Sequence, residues 1–233
     1  MFDPRHPTFK KRVAAGGCLG VSWLALGSAA LAEIAAAARP DAIVLDQQHG
    51  LWERRELEAA IGLVPGDIPV LVRVAENSPL AIGTALDAGA EGVIVPLIET
   101  AQEAAQALRS FAGYLAGANA IVTILMIETL AGVGHAAQIA ATEGVDMVFI
   151  GSGDLALSLG VDPAQPEYIA SCAAIRRASR DAGVPCGIFT GSLASARQRR
   201  DEGYQLVVVA NDVDLAGQGF TAASDAFRLR PSP

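Results

Sequence analysis

Short runs of Val, Ile and Leu alternate with longer Ala- and Leu-rich stretches along almost all of this 233-residue chain. Eight apolar runs read as strands, at 18–22, 42–46, 70–74, 92–95, 121–127, 147–150, 186–189 and 206–209. They lack polar alternation, as strands do when both faces are covered. Helical patterns follow them near 28–38, 53–63, 79–88, 100–111, 131–142, 166–182, 192–202 and 212–227. Gly89, Gly144, Gly183 and Gly203 each stand where a helix must stop before the next strand begins. Eight strand–helix units in this length predict an α/β fold, a single (β/α)8 TIM barrel. A doubly wound open sheet is the competing architecture, weakened because no G-x-G-x-x-G follows the first strand. Residues 1–17 are read as an N-terminal tail and 18–229 as one catalytic domain, with no linker or low-complexity segment.

Composition narrows the function. Hydrophobic residues make up 52% of the chain and charged residues 18%, enough for a sizeable core. A net charge of −8 argues against a nucleic-acid partner, which asks for a basic face. Cys18, Cys172 and Cys186 are too few and too scattered for a disulfide framework or a zinc site, and read as free thiols in a reducing cytoplasm. Residues 1–12 are polar and basic, unlike a signal peptide. The Ala-rich stretch 27–38 is short and carries Glu33, so no membrane span is expected.

In a parallel barrel the strand C-termini share one face, and that face carries the chemistry. Several polar residues end strands here: Asp46 and His49 after the second, Arg73 on the third, Glu128 on the fifth, and Gly151-Ser152-Gly153-Asp154 after the sixth. Two carboxylates without Cys or His at ligand spacing suit a hard cation such as Mg2+ or Mn2+. A cation, an arginine and a base together suit proton chemistry beside the carbonyl of a 2-oxo acid, where an enolate needs positive charge. Each residue has a plainer reading. Asp154 could cap a helical turn over 155–159, Arg73 could pair with Glu76 or Asp46, and His49 could be a hydrogen-bonded loop histidine. His135 reads as structural. The only lysines, Lys10 and Lys11, lie in the tail, so no Schiff-base lysine is expected.

The segments LDQQHG (45–50), VLVRV (70–74), ALDAGAEGVIVP (85–96), MIET (126–129) and VDMVFIGSGDLALSLG (145–160) resemble the HpcH/HpaI family of class II 2-oxo-acid aldolases. The resemblance runs from about Gly20 to Gly219 and implies a phosphoenolpyruvate/pyruvate-type barrel. By resemblance, Glu128 and Asp154 are the ligands of a divalent cation (Mg2+, Mn2+ or Co2+). His49 is the general base, Arg73 holds the oxo oxygen, and Asp46 lines the site. Backbone N–H groups around Ser152, Gly153 and Asp154 clamp the carboxylate, and Met126 is a further substrate contact. Asp87 matches an aspartate that raises the basicity of the histidine. It belongs at the opposite end of its own barrel, so it would act from a neighbouring subunit. Its plain reading is a helix-end acid. The family also implies a homo-oligomer, a trimer of dimers among the options, joined through C-terminal helices that here carry Leu215, Phe220 and Phe227.

Departures accompany the likeness. Gln48 stands where the family commonly has Glu, Met126 where some members have Gln, and Ser152 where Pro is usual. A long loop before the fifth strand is reduced to the link at 112–119, so the chain reads as a shortened member. The implied reaction is reversible cleavage of a 4-hydroxy-2-oxo acid to pyruvate and an aldehyde through a metal-bound enolate. Two alternatives stand beside it. One is a CoA-ester lyase or condensing enzyme, for which Arg54-Arg55, Arg176-Arg177 and Arg197 with Arg199-Arg200 are candidate phosphate contacts. The other is a catalytically degenerate barrel that only binds a metal–oxo-acid complex.

Overall fold

A computed structural model describes residues 7–115 and 121–228. Eight strands, β1 (Leu19–Leu24), β2 (Ala42–Asp46), β3 (Val70–Arg73), β4 (Gly92–Val95), β5 (Val122–Ile127), β6 (Met147–Ile150), β7 (Cys186–Ile188) and β8 (Leu206–Asn211), pair in sequence order. All pairs are parallel, and β8 returns to β1 to close the barrel. The expected (β/α)8 TIM barrel is therefore the observed fold, and the open sheet is excluded.

Helices α2 (Ala29–Ala37), α3 (Arg54–Leu63), α4 (Pro79–Asp87) and α5 (Ala101–Leu115) follow the first four strands. Ser28 and Ser78 cap α2 and α4 by accepting backbone N–H bonds. The helix expected at 131–142 is two pieces, α6 (Leu130–Gly134) and α7 (Ala136–Ala140). Gly132 and Gly134 weaken the helix there, and the His135 ring nitrogen Nδ1 lies 2.8 Å from the Glu99 carbonyl, so the backbone turns at His135. Beyond β6 come α8 (Ser152–Leu159) and α9 (Pro166–Asp181), then α10 (Leu193–Asp201) and α11 (Asp212–Arg228). The helix expected to stop near Phe111 runs on to Leu115, so the first part of the short link is helical. Residues 116–120 lie outside the described residues.

Two apolar layers hold this together. Side chains inside the barrel, among them Trp23, Val44, Leu71, Ile94, Met126 and Phe149, form one cluster. A larger cluster lies between the strands and the outer helices. The N-terminal segment is more than a polar tail, because it contains helix α1 (Phe9–Ala14). Phe9 is fully buried and joins the interior cluster with Val13. Around it, the Phe9 N–H donates to Glu91, Lys10 pairs with Asp146 at 2.9 Å, and Arg12 donates to the carbonyls of Asp41 and Asp67. These partners precede β4, β6, β2 and β3, so α1 stoppers the N-terminal end of the barrel and leaves the C-terminal end open. No described helix is long and apolar enough to cross a membrane.

Truncating the stopper tests this. Phe9→Ala removes a fully buried ring and is expected to cost about 3 kcal/mol in urea unfolding. A loss under about 1 kcal/mol would mean that α1 is not part of the cooperative unit.

Candidate active site

The strand register builds the site. Asp46, the last residue of β2, lies opposite Arg73, the last residue of β3. The two form a buried bidentate pair, with Arg73 Nε donating to Asp46 Oδ1 at 2.7 Å and Nη2 to Oδ2. Asp46 also accepts from Trp23 Nε1 (3.2 Å) and from the backbone N–H groups of Gln48 (3.0 Å) and His49 (3.4 Å). Burial raises its pKa, but the Arg73 guanidinium, the Trp23 indole and the Gln48 amide outweigh that and hold it below the ordinary carboxylate value. Asp46 is 2% exposed and saturated. It sits beneath Arg73 and orients it, rather than facing the cavity.

The loop after β2 is pinned against this pair. A side chain at Gly50 would collide with the Asp46 carbonyl oxygen, so only glycine lets the chain pass. This brings His49 Nε2 to 3.1 Å from Asp154 Oδ2. On the other side, Glu128 directly follows β5. Its Oε1 accepts the Leu97 N–H at 2.9 Å and the Gln48 amide at 3.4 Å. Leu97 reaches this position with a left-handed φ of 55°. Gly151 must be glycine, since a Cβ there would run into Glu128 Oε2. It is the N-cap of α8, which places Asp154 in the first turn of that helix and not at its cap.

His49, Arg73, Met126, Ser152, Gly153, Asp154 and Phe189 line, with Gly151, a cavity of about 200 Å³. Of the expected residues, Asp46, Asp87 and Glu128 do not line this cavity; Glu128 lies against Gln48 and Leu97. Asp46 lies behind Arg73. Asp87 ends α4 at the other end of the barrel, where its Oδ1 accepts the Tyr114 hydroxyl at 2.8 Å. Three contributors were not singled out from sequence. Trp23 carries Arg73 over its ring at 5.0 Å and meets Phe189 edge-on at 5.3 Å. Phe189 closes one wall. The Leu97 N–H fixes Glu128.

The pair Glu128–Asp154 fits a cation. Glu128 is 1% exposed, and its Oε2 is buried without a hydrogen-bond partner. Burial, with the Asp154 charge beside it, pushes its pKa up to about 7 despite the opposing Leu97 N–H. A buried orphan oxygen next to a second carboxylate is what a hard divalent ion relieves. Among the described residues no three His, Cys, Asp or Glu side chains gather closely enough to hold a metal by themselves. The first-turn N–H groups of α8 add a partial positive charge for a ligand carboxylate.

With this geometry in view, the sequence pattern of the HpcH/HpaI aldolase/citrate lyase family matches residues 20–218. The chain belongs to that family. A hydroxypyruvate/pyruvate aldolase of Paraburkholderia phytofirmans is 35% identical, over 82% of this chain and 86% of that protein. A 5-keto-4-deoxy-D-glucarate aldolase of Klebsiella pneumoniae is 31% identical, over 94% and 96%. The crystal structure of an HpcH/HpaI family protein from Burkholderia cenocepacia superposes with a TM-score of 0.88 at 32% identity, covering 94% of this chain and 98% of that one. Membership of the HpcH/HpaI family and these aldolase relatives make the chain a carbon–carbon lyase.

The raised Glu128 pKa has a consequence for the metal-free protein. The folded state holds a proton that the unfolded state, near 4.5, releases earlier. The contribution of this group to stability is therefore fully present below about pH 4.5 and falls as pH rises to about 7, by about 3 kcal/mol. Urea unfolding of metal-free protein across this window should show the fall, and Glu128→Gln should flatten it. Equal slopes in both proteins would place the proton elsewhere.

Proposed function

We propose that this lyase is a divalent-cation-dependent aldolase that reversibly cleaves a 4-hydroxy-2-oxo acid to pyruvate and an aldehyde. The observation that carries the reading is the unpartnered, buried Glu128 Oε2 beside Asp154, which itself lines the cavity with Arg73 and His49. Glu128 and Asp154 would hold the cation (Mg2+, Mn2+ or Co2+), which when bound supplies the charge that polarises the 2-oxo group. The Ser152, Gly153 and Asp154 amides receive the substrate carboxylate at the α8 N-terminus. Arg73, locked by Asp46, donates to the oxo oxygen and stabilises negative charge as it develops there. His49, oriented by Asp154, takes the C4 hydroxyl proton. The C3–C4 bond then breaks, the aldehyde leaves, and the bond's electron pair remains as pyruvate enolate, which is protonated at C3. Met126 and Phe189 give the cavity apolar walls. The hydroxypyruvate/pyruvate aldolase relative supports a pyruvate half-reaction.

The functional unit is a homo-oligomer in this reading. From Val213 onward α11 has no buried residue, and it exposes Leu215, Phe220 and Phe227. Beside its root lies an apolar groove of about 410 Å³ lined by Leu24, Leu31, Ile34 and Leu215. An amphipathic helix exposed in this way is covered when copies associate. Asp87 acts, if it acts on chemistry, from such a neighbour. Three free thiols suit a cytoplasmic setting.

Exchange of the pyruvate methyl protons in D2O, followed by NMR, reports enolate formation without knowledge of the aldehyde. Exchange should need added Mn2+ or Mg2+, stop with EDTA, and drop at least about 10³-fold in Glu128→Ala. Arg73→Lys should lose roughly 10²–10³-fold. Full exchange after EDTA would sink the cation-dependent mechanism. Separately, Leu215→Asp with Phe220→Asp should shift sedimentation to a smaller species. An unchanged coefficient would remove α11 from the interface.

A further inference from the structure

Arg176, Arg177 and Arg180 of α9 line one cavity of about 350 Å³. Its other walls come from Gly183–Pro185, which lead into β7, and from Gly203 and Gln205, which lead into β8. The cavity therefore opens at the N-terminal end of the barrel, opposite the catalytic cavity. It is separate from the cavity that Asp154, Arg73 and His49 line.

Three features set the cluster apart from a solvated helix face. First, among the described residues no carboxylate lines the cavity, in a chain whose net charge is −8. Second, Arg176 is held in place: its Nη1 donates to the Glu202 carbonyl, and its guanidinium lies 5.4 Å from the Tyr204 ring centre. Third, Gln205 Oε1 is engaged by the Cys186 N–H at 2.8 Å, which leaves its NH2 group as a further donor. Cations near a helix C-terminus offset its exposed carbonyls, and this accounts for Arg180, which also contacts Asp181 at 2.9 Å. It does not account for Arg176, more than a turn inside α9.

We propose that this cavity binds a small phosphate-bearing metabolite, its phosphate gripped by Arg177 and Arg180 against the fixed Arg176. Guanidinium forks match phosphate oxygens in pairs, and several donors converging from one helix and from the segment that leads into β8 suit a tetrahedral dianion better than a planar carboxylate.

The test is thermal unfolding of the full chain in Mg2+ buffer, titrated with inorganic phosphate at constant ionic strength, with malonate as the carboxylate comparison. Wild type should gain Tm with phosphate in a saturable manner. Arg177→Gln with Arg180→Gln, both on exposed positions, should weaken the apparent affinity more than about tenfold. Arg197→Gln with Arg228→Gln should respond like wild type. Three outcomes overturn the proposal: no response in wild type, equal responses in both double variants, or a response to malonate alone that needs Arg177 and Arg180. Equal responses would place the phosphate outside this cavity, and none of these results bears on the pyruvate exchange.

Discussion

The Asp46–Arg73 pair is the interaction on which the site depends. Neither charge would be tolerable alone at 2% and 6% exposure, because an uncompensated buried ion costs several kcal/mol. Together they are held by strand register, which no loop motion can undo. Asp46 then distributes the constraint. Through two backbone N–H groups it fixes the turn that carries Gln48 and His49, and through Trp23 it ties β1 to the same point. Gln48 reaches on to Glu128, and His49 to Asp154. One aspartate on β2 thus sets the positions of groups on five strands' ends without facing the cavity itself.

The fold was legible because period and punctuation agreed. Runs of Val and Ile too short for helices, each followed by an Ala-rich stretch and a stop glycine, have few solutions other than a closed parallel barrel. What was not legible was local. The expected tail conceals α1 because six residues with Phe9 and Val13 carry too little periodicity to stand out. The break at His135 needs a tertiary contact with Glu99. In the site, the charged residues at strand ends were visible because charge in an apolar run is conspicuous. Trp23 and Phe189 were not, since an aromatic in a strand reads equally as core. Leu97 was invisible in principle: its contribution is a backbone N–H aimed by a left-handed turn, and its side-chain identity encodes neither.

The two ends of the barrel divide the work. At the N-terminal end α1 fills the interior with Phe9 and ties down the segments that lead into β2, β3, β4 and β6. At the C-terminal end the interior cluster stops at Met126 and Trp23, where Gly50 lets the chain pass the Asp46 and Ala25 carbonyls and Gly151 lets it pass the Glu128 carboxylate. Packing that tolerates no extra atom beside Glu128 keeps its free oxygen aimed at one place, which is the preorganisation a charge-stabilising site requires.

Charge accounting explains why such a site calls for a cation. Among the described residues Arg73 is the only guanidinium lining the cavity, and its charge is already balanced by Asp46. What remains is Glu128 and Asp154, two carboxylates to which the proposed 2-oxo acid would add a third. Without a cation, burial and the Asp154 charge favour the protonated form of Glu128, which is the direction of its raised pKa. In the proposed function both carboxylates would hold a divalent ion in place of that proton, and it would supply the charge that offsets them, with Arg73 and the α8 amides left for the substrate anion. Gln48 fits the same balance. Its amide holds Glu128 as a glutamate could not when both were ionised, and it keeps the site from carrying a further negative charge.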